Sequence, residues 1–335
     1  MATTVISAFN EFLKDKVNLD KDETSTARNS RDWLVDRIHE FPTNESSFPK
    51  LYSTKDIYFG SFARKTKKRE LDDIDIMIGL SGDGTTYNEH SDRIELNVPD
   101  AATNLKKLCN DNSNVLNSRK VINKFISMLE DIPQYKKAEM KLNKQAAVLN
   151  LTSYTWSFDI VPCFFTSEDS YGKTYYIIPD GNGDWMKTDP RIDRDRVTNV
   201  NQKHNGNVLN VIRIMKYWNK RPTMPSMQSY LIENMILDYY ESISDIASAY
   251  VDIEITNVLA YINTHIHLSV NDPKGIQGDI NNLSYEERNK IQNRSYNDYY
   301  KAIDARNFET DKDYKSSINK WREIFGTDFP EYDED

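Results

Sequence analysis

Two aspartates with one isoleucine between them, Asp73 and Asp75, open an apolar run that continues through Ile76, Met77 and Ile78. In a strand, residues two apart project to the same face, so the two carboxylates stand side by side while Ile74 and Ile76 turn into a core. Adjacent anions repel unless a cation sits between them, and hard oxygen donors at this spacing suit Mg2+, which keeps waters and substrate phosphates as its other ligands. A third carboxylate, Asp159, is the only charge in the stretch Trp156-Ser157-Phe158-Asp159-Ile160-Val161-Pro162, where charged residues seldom sit unless paired. If the two strands are neighbours, Asp73, Asp75 and Asp159 converge as a catalytic set able to hold two Mg2+ ions, or Mn2+ in their place. One ion would activate a hydroxyl nucleophile and the other would steady a pyrophosphate leaving group. Upstream, Gly60-Ser61 supplies the anion-binding part. A glycine at a strand-to-helix turn lets backbone N–H groups approach a triphosphate, Ser61 adds a hydroxyl donor, and a helix N-terminus favours negative charge. A lone Gly-Ser pair or a lone Asp-x-Asp carries little information, but their order here outlines a phosphoryl-transfer site.

These residues need strands to carry them. Residues 56–59 and 74–80 read as strands, 101–109 and 118–131 as helices, and 146–152 with 155–165 as a hairpin. Phe9, Phe12, Leu13 and then Trp33, Leu34, Ile38 mark two N-terminal helices expected to bridge both halves of the chain. The turn-rich loop 179–184 separates this mixed half from a helical one, and the expected division is 1–185 and 186–335. In the second half Val208, Ile212, Met215 and Trp218 mark one helix ended by Lys220-Arg221-Pro222, and Leu231, Met235 and Tyr239 mark another. A last helix over 316–325 stops at Gly326, followed by an acidic tail, 331–335, expected to be solvated. The class is α+β.

The 335 residues carry 52 acidic and 43 basic side chains, a net charge of −9, and 38% are hydrophobic, which excludes general disorder. The apolar run 160–165 is broken by Pro162, far short of the roughly 20 residues that span a bilayer. The first ten residues carry neither a basic nor an apolar leader pattern, so a cytoplasmic site and no membrane partner are expected. Cys109 and Cys163 lack CxxC spacing and the five histidines form no HxxxH pair, which argues for inert thiols and against a zinc site or disulfide framework. A pI near 5.2 argues against sustained binding along duplex nucleic acid.

The ordered motif resembles the hG[GS] … DhDh … D signature of the polymerase β-like nucleotidyltransferase superfamily. Gly60-Ser61-Phe62-Ala63-Arg64-Lys65-Thr66 with Leu71-Asp72-Asp73-Ile74-Asp75-Ile76-Met77 is similar to the bacterial branch of the cGAS/DncV-like nucleotidyltransferases, enzymes of cyclic-oligonucleotide antiphage signalling. Tyr176–Asp180 with Trp185, Val211–Trp218, Ser229–Glu233 and Trp321–Gly326 resemble it too, so the likeness spans nearly the whole chain. The resemblance implies a bilobal fold, with a mixed-sheet catalytic lobe packed against a helical lobe that closes the nucleotide cleft. It implies two bound ribonucleoside triphosphates, with a 3′- or 2′-hydroxyl of one attacking the α-phosphorus of the other. A linear intermediate then closes into a cyclic di- or trinucleotide, a second messenger, and pyrophosphate leaves at each bond. That product activates a separate effector protein, and the pattern leaves room for regulatory protein partners.

By the same resemblance Gly60, Ser61, Lys216, Ser229 and Tyr230 bind nucleotide: Lys216 and Ser229 on the triphosphate, Tyr230 stacked on a base. Each has a structural alternative: a lysine lying along a helix surface, an N-capping serine, a core tyrosine. Arg64-Lys65-Thr66-Lys67-Lys68-Arg69 is equally a solvated face or a border for the triphosphate. The loop Gly82–Thr86 lacks a Walker lysine and takes no binding role. With neither a Cys/His cluster nor a basic composition, duplex DNA is not expected as an activator. A transferase of the same fold acting on an RNA or protein acceptor is the alternative; net charge weighs against RNA, and the intact aspartates weigh against a catalytically dead scaffold.

Overall fold

The run Asp73–Leu80 alternates half-buried aspartates with buried isoleucines and forms the strand on which the site is built. It belongs to a computed structural model that describes residues 2–222, 224–225 and 227–334. The chain divides into two units. A helical unit takes Met1–Asp20, Lys65–Glu70 and Ile192–Asp335, and a sheet unit takes Lys21–Arg64 and Leu71–Arg191.

Helix α1 (Val5–Phe12) opens the helical unit and runs into a π-helical turn, Leu13–Val17. The sheet unit follows with α2 (Lys21–His39), α3 (Phe41–Asn44), β1 (Ile57–Phe59), the single turn α4 (Gly60–Ala63) and β2 (Asp73–Leu80). It continues through β3 (Thr86–Glu89), β4 (Ile94–Asn97), α5 (Thr103–Lys106) and α6 (Ser118–Glu130). Strands β5 (Glu139–Asn143), β6 (Ala146–Asn150), β7 (Ser157–Phe165), β8 (Tyr176–Pro179) and β9 (Trp185–Thr188) complete it. Helix α7 (Pro190–Lys203) leads into α8 (Val208–Asn219), α9 (Ser229–Ser242), α10 (Val251–His265), α11 (Tyr285–Thr310) and α12 (Tyr314–Phe325). The architecture is thus α+β and bilobal, as expected. No helix among the described residues is long and apolar enough to cross a membrane.

The sheet runs β1-β2-β7-β8-β9-β4-β3, with the β5–β6 hairpin joined to β7 through β6. Strands β2 and β7 pair in parallel, a pairing that requires a long crossover, here the segment containing α6. One face of this central pair buries Ile74, Ile76, Phe158 and Ile160. The other face carries Met77, Val161 and Cys163, packed with Ile57 of β1 and Val148 of β6. In the helical unit Phe9 and Phe12 pack against Phe325 and Phe329, and the Phe9 ring centroid lies 5.0 Å from that of Trp321.

Several boundaries differ from the sequence expectation. The two N-terminal helices part, α1 to the helical unit and α2 to the sheet unit. Strand β9 pairs with β8 and β4, which carries the sheet unit past residue 185 to Arg191. Of residues 101–109 only Thr103–Lys106 is helical, because the turn after it folds Cys109 back to bridge Leu116. The acidic tail keeps its Glu331 and Glu334 side chains exposed, as expected, but its backbone is held where Tyr332 bridges Ala2, while Arg322 donates to Glu331 at 2.8 Å and Lys315 pairs with Glu334. Met1 and Asp335, the outer ends of the leader and tail expectations, lie outside the described residues.

Candidate active site

In the β2–β7 register Asp75 stands directly across from Asp159, and Asp73 across from Ser157. Paired residues of parallel neighbours project to the same face, and neighbouring strands lie about 4.8 Å apart. Asp73, Asp75 and Asp159 therefore share one face at the start of β2, all half-buried, ahead of the apolar patch formed by Met77, Val161 and Cys163. Among the described residues no three His, Cys, Asp or Glu side chains are already drawn together as a cation-binding group. The fit to a divalent cation rests on the donor set, three carboxylates offering hard oxygens from one sheet face, which is what Mg2+ or Mn2+ takes.

Strand β1 pairs antiparallel with β2, bringing Phe59 opposite Asp75. The chain then turns at Gly60, whose φ of +70° lies in the left-handed region that glycine adopts at little cost. Space demands glycine as well, because a Cβ built there would come 1.7 Å from Asp75 Oδ2 and 2.6 Å from its Cγ. Gly60 is thus pressed against the Asp75 carboxylate, and Ser61 follows half-buried at the head of α4. Because α4 is only four residues long, its offer to an anion is a few local N–H groups and the Ser61 hydroxyl, without the summed dipole of a long helix. Gly60→Ala is expected to push the Asp75 carboxylate aside and lower kcat roughly 10²-fold, the usual cost of an ångström of misplacement. Steady-state kinetics with a parallel thermal melt checks this; unchanged kcat in a folded variant would show that the close approach has no bearing on turnover.

Further along β2, the Gly79 N–H donates to Asp56 Oδ1 at 2.8 Å, and His39 Nε2 lies 2.6 Å from Asp56 Oδ2. Burial raises Asp56 above the usual carboxylate range despite these bonds. Cys163, on the same face of β7, is fully buried, and that burial pushes its thiol well above the ordinary value; Cys109 is raised for the same reason.

The helical unit holds the other expected nucleotide ligands in networks that the sequence did not suggest. Lys216 on α8 is no surface lysine: it is 4% exposed and forms an ion pair with Glu233 of α9, which is 1% exposed. Its ammonium also donates to Thr66 Oγ1 at 3.2 Å, and Thr66 Oγ1 donates to Glu233 Oε2 at 2.8 Å. Thr66, the one uncharged residue of the basic run, is therefore a buried anchor. Arg213 donates to the Lys65 carbonyl at 2.8 Å, Arg69 donates to the Asn18 carbonyl at 3.0 Å, and the Arg69 N–H reaches the Val17 carbonyl at 2.8 Å. Burial pulls the Arg213 guanidinium down to about 10. The run is thus fixed at Thr66 and Arg69 rather than being a uniformly solvated face.

Ser229 is exposed and is the first residue of α9, one past the N-cap Gln228, so it does not cap that helix. Tyr230 is half-buried, and its hydroxyl lies 2.7 Å from Asp193 Oδ1 and 3.1 Å from Asp272 Oδ1, with Lys274 donating to it. Burial, together with these carboxylates, drives its phenol far above the ordinary value. Sequence reading missed Thr66, Glu233, Asp193, Asp272 and Lys274. Glu233 carried a usable signal: it is the lone charge in Tyr230-Leu231-Ile232-Glu233-Asn234-Met235-Ile236, the same pattern that exposed Asp159.

No family model matches the chain. It is 47% identical over 338 residues to a probable cyclic nucleotide synthase of Bacillus cereus (strain VD146), with all of both chains covered. Among solved structures it is similar to E. coli MS115-1 CdnC in a complex with HORMA-deltaN, with a TM-score of 0.68 and 16% identity over 97% of this chain and 98% of that one. It is similar also to Escherichia coli DncV in a 3′-deoxy GTP bound form, with a TM-score of 0.66 and 12% identity over 96% of this chain and 97% of that one. At these identities the structural likeness speaks to the fold.

Proposed function

We propose, for a chain that belongs to the bacterial cGAS/DncV-like nucleotidyltransferases and is an enzyme of the cyclic nucleotide synthase kind, that it joins ribonucleoside triphosphates into a cyclic di- or trinucleotide. The observation that supports this most is the β2–β7 register, which sets Asp75 across from Asp159 on the face shared with Asp73, under the turn at Gly60. Asp73, Asp75 and Asp159 would hold two Mg2+ or Mn2+ ions, which when bound supply charge that favours the ionised nucleophile and the departing pyrophosphate. Backbone N–H groups around Gly60 and the Ser61 hydroxyl hold phosphate oxygens, fixing the α-phosphorus for attack. A ribose hydroxyl forms the new O–P bond, the α–β anhydride breaks, and a proton and a pyrophosphate leave. A second round between the ends of the linear product closes the ring.

Ser229, exposed at the start of α9, and Tyr230 beside it belong to the nucleotide-binding set of this proposal. Lys216 belongs to it with a smaller share, because Glu233 already offsets its charge. The proposal extends to cytoplasmic antiphage signalling, in which the product activates a separate effector protein. A regulatory protein partner is consistent with it, since a relative of the same fold is solved in complex with HORMA-deltaN.

The test is to incubate the purified protein with all four ribonucleoside triphosphates and Mg2+ or Mn2+, treat with phosphatase, and identify survivors by mass spectrometry. A phosphatase-resistant cyclic product is expected. Labelling of added RNA or protein with no small cyclic product would overturn the reading in favour of a macromolecular acceptor.

A further inference from the structure

The loop between α10 and α11 carries Lys274, whose side chain is only 6% exposed although it is a lysine on a loop. Its ammonium has three protons and three acceptors to receive them. Asp272 Oδ1 lies at 2.9 Å, Asp193 Oδ2 at 3.4 Å, and the Tyr230 hydroxyl oxygen completes the set. The single proton of Tyr230 then goes to its nearer carboxylate, Asp193 at 2.7 Å. Asp272 is itself fixed by the N–H groups of Lys274, Ile276 and Gln277 at 3.3, 3.2 and 3.0 Å. Burial raises Asp272, but Lys274 and these N–H groups outweigh it and hold the carboxyl below its usual range. One ammonium serves two carboxylates, and the N–H groups on Asp272 help to hold the second negative charge, so each of these protons has an acceptor and the network is stiff.

This network fixes a ring. Tyr230 has two soft side-chain torsions, and a hydroxyl that donates to Asp193 and accepts from Lys274 restrains both. The Lys274 ammonium also lies 4.4 Å from the Tyr230 ring centroid, so a cation is held against the π-system while the ring is pinned. We infer that Lys274 is a positioning residue for nucleotide binding, holding Tyr230 as a preset platform for a nucleoside base. The inference rests on the reading of Tyr230 as the residue that stacks on a base. The energetic logic is preorganisation: a ring already oriented loses no torsional freedom when the base arrives.

The test compares wild type, Lys274→Met, Lys274→Arg, Tyr230→Phe, Tyr230→Ala and the double variant Lys274→Met/Tyr230→Ala. Pyrophosphate release from the four ribonucleoside triphosphates with Mg2+ is split into KM and kcat, with a thermal melt of each protein. Tyr230→Ala should raise KM roughly tenfold to a hundredfold, the usual worth of a stacked aromatic. Lys274→Met should raise KM about fivefold with kcat nearly unchanged, and Lys274→Arg should recover most of that. In the Tyr230→Ala background Lys274→Met should add nothing to KM, because the lysine acts through the ring. Additive effects, or a KM untouched by Lys274→Met, overturn the inference. Should Lys274→Met not fold, Tyr230→Phe decides alone, since it removes only the anchored hydroxyl: a raised KM supports the inference and an unchanged KM overturns it. The wild-type product identifies the reaction independently, so a failed synthase reading and a failed platform are told apart.

Discussion

Asp75→Asn is expected to lower kcat by roughly 10³-fold or more while the protein stays folded. A bound divalent cation contributes several kcal/mol to stabilising developing charge, and each 1.36 kcal/mol is about tenfold in rate. The amide keeps the shape of the side chain but removes the charge that the cation needs, from the carboxylate that stands across from Asp159 and against Gly60. Stability should hold or rise slightly, because three carboxylates on one face repel in the cation-free protein and the substitution relieves part of that. Asp73→Asn should behave in the same way. The contrast is Asp72→Asn, exposed and one residue out of the shared-face pattern, which should leave activity near wild type. The assay is cyclic product formed from the four triphosphates, read beside a thermal melt. Turnover surviving in both Asp73→Asn and Asp75→Asn would sink the two-cation proposal.

Lys216→Ala is expected to cost about 3–5 kcal/mol of stability, the usual penalty for removing one partner of a buried ion pair. Read along the sequence, the same substitution would chiefly raise KM. The tertiary structure adds a stability cost to that expectation, because the variant takes the Lys216 ammonium away from the Glu233 carboxylate, which is 1% exposed and also accepts from the neutral Thr66 hydroxyl. The double variant Lys216→Met/Glu233→Leu should recover most of the loss, since replacing both members of the pair with apolar groups of similar size removes the buried carboxylate together with its ammonium. Urea unfolding of wild type, the single variant and the pair checks this. A single variant as stable as wild type would mean that the pair holds nothing together.

Part of the site was legible in the one-dimensional pattern. The period of two in Asp73-Ile74-Asp75-Ile76 determines that both carboxylates share a face, because successive side chains of a strand alternate whatever the strand pairs with. The isolation of Asp159 among apolar residues marks it as partnered, since an unpartnered charge there would be too costly. Gly60 was legible as a turn, but its closeness to Asp75 was not, because that contact needs β1 laid beside β2 in one register.

What tertiary structure alone decided is which distant residues meet. The β2–β7 register sets Asp75 against Asp159, and a slip of one residue would have sent Asp159 to the opposite face. Lys216 meets Thr66 across 150 residues and Lys274 meets Tyr230 across 44, contacts invisible to any local window. The physical reason is the range of the forces. Backbone geometry and side-chain alternation act over a few residues and are written in the local pattern. Charge pairing in a core depends on how whole helices and loops pack, so only the folded chain shows that two of the five residues assigned from sequence to nucleotide, Lys216 and Tyr230, are also one arm of a buried ion pair and a ring whose hydroxyl accepts from a lysine.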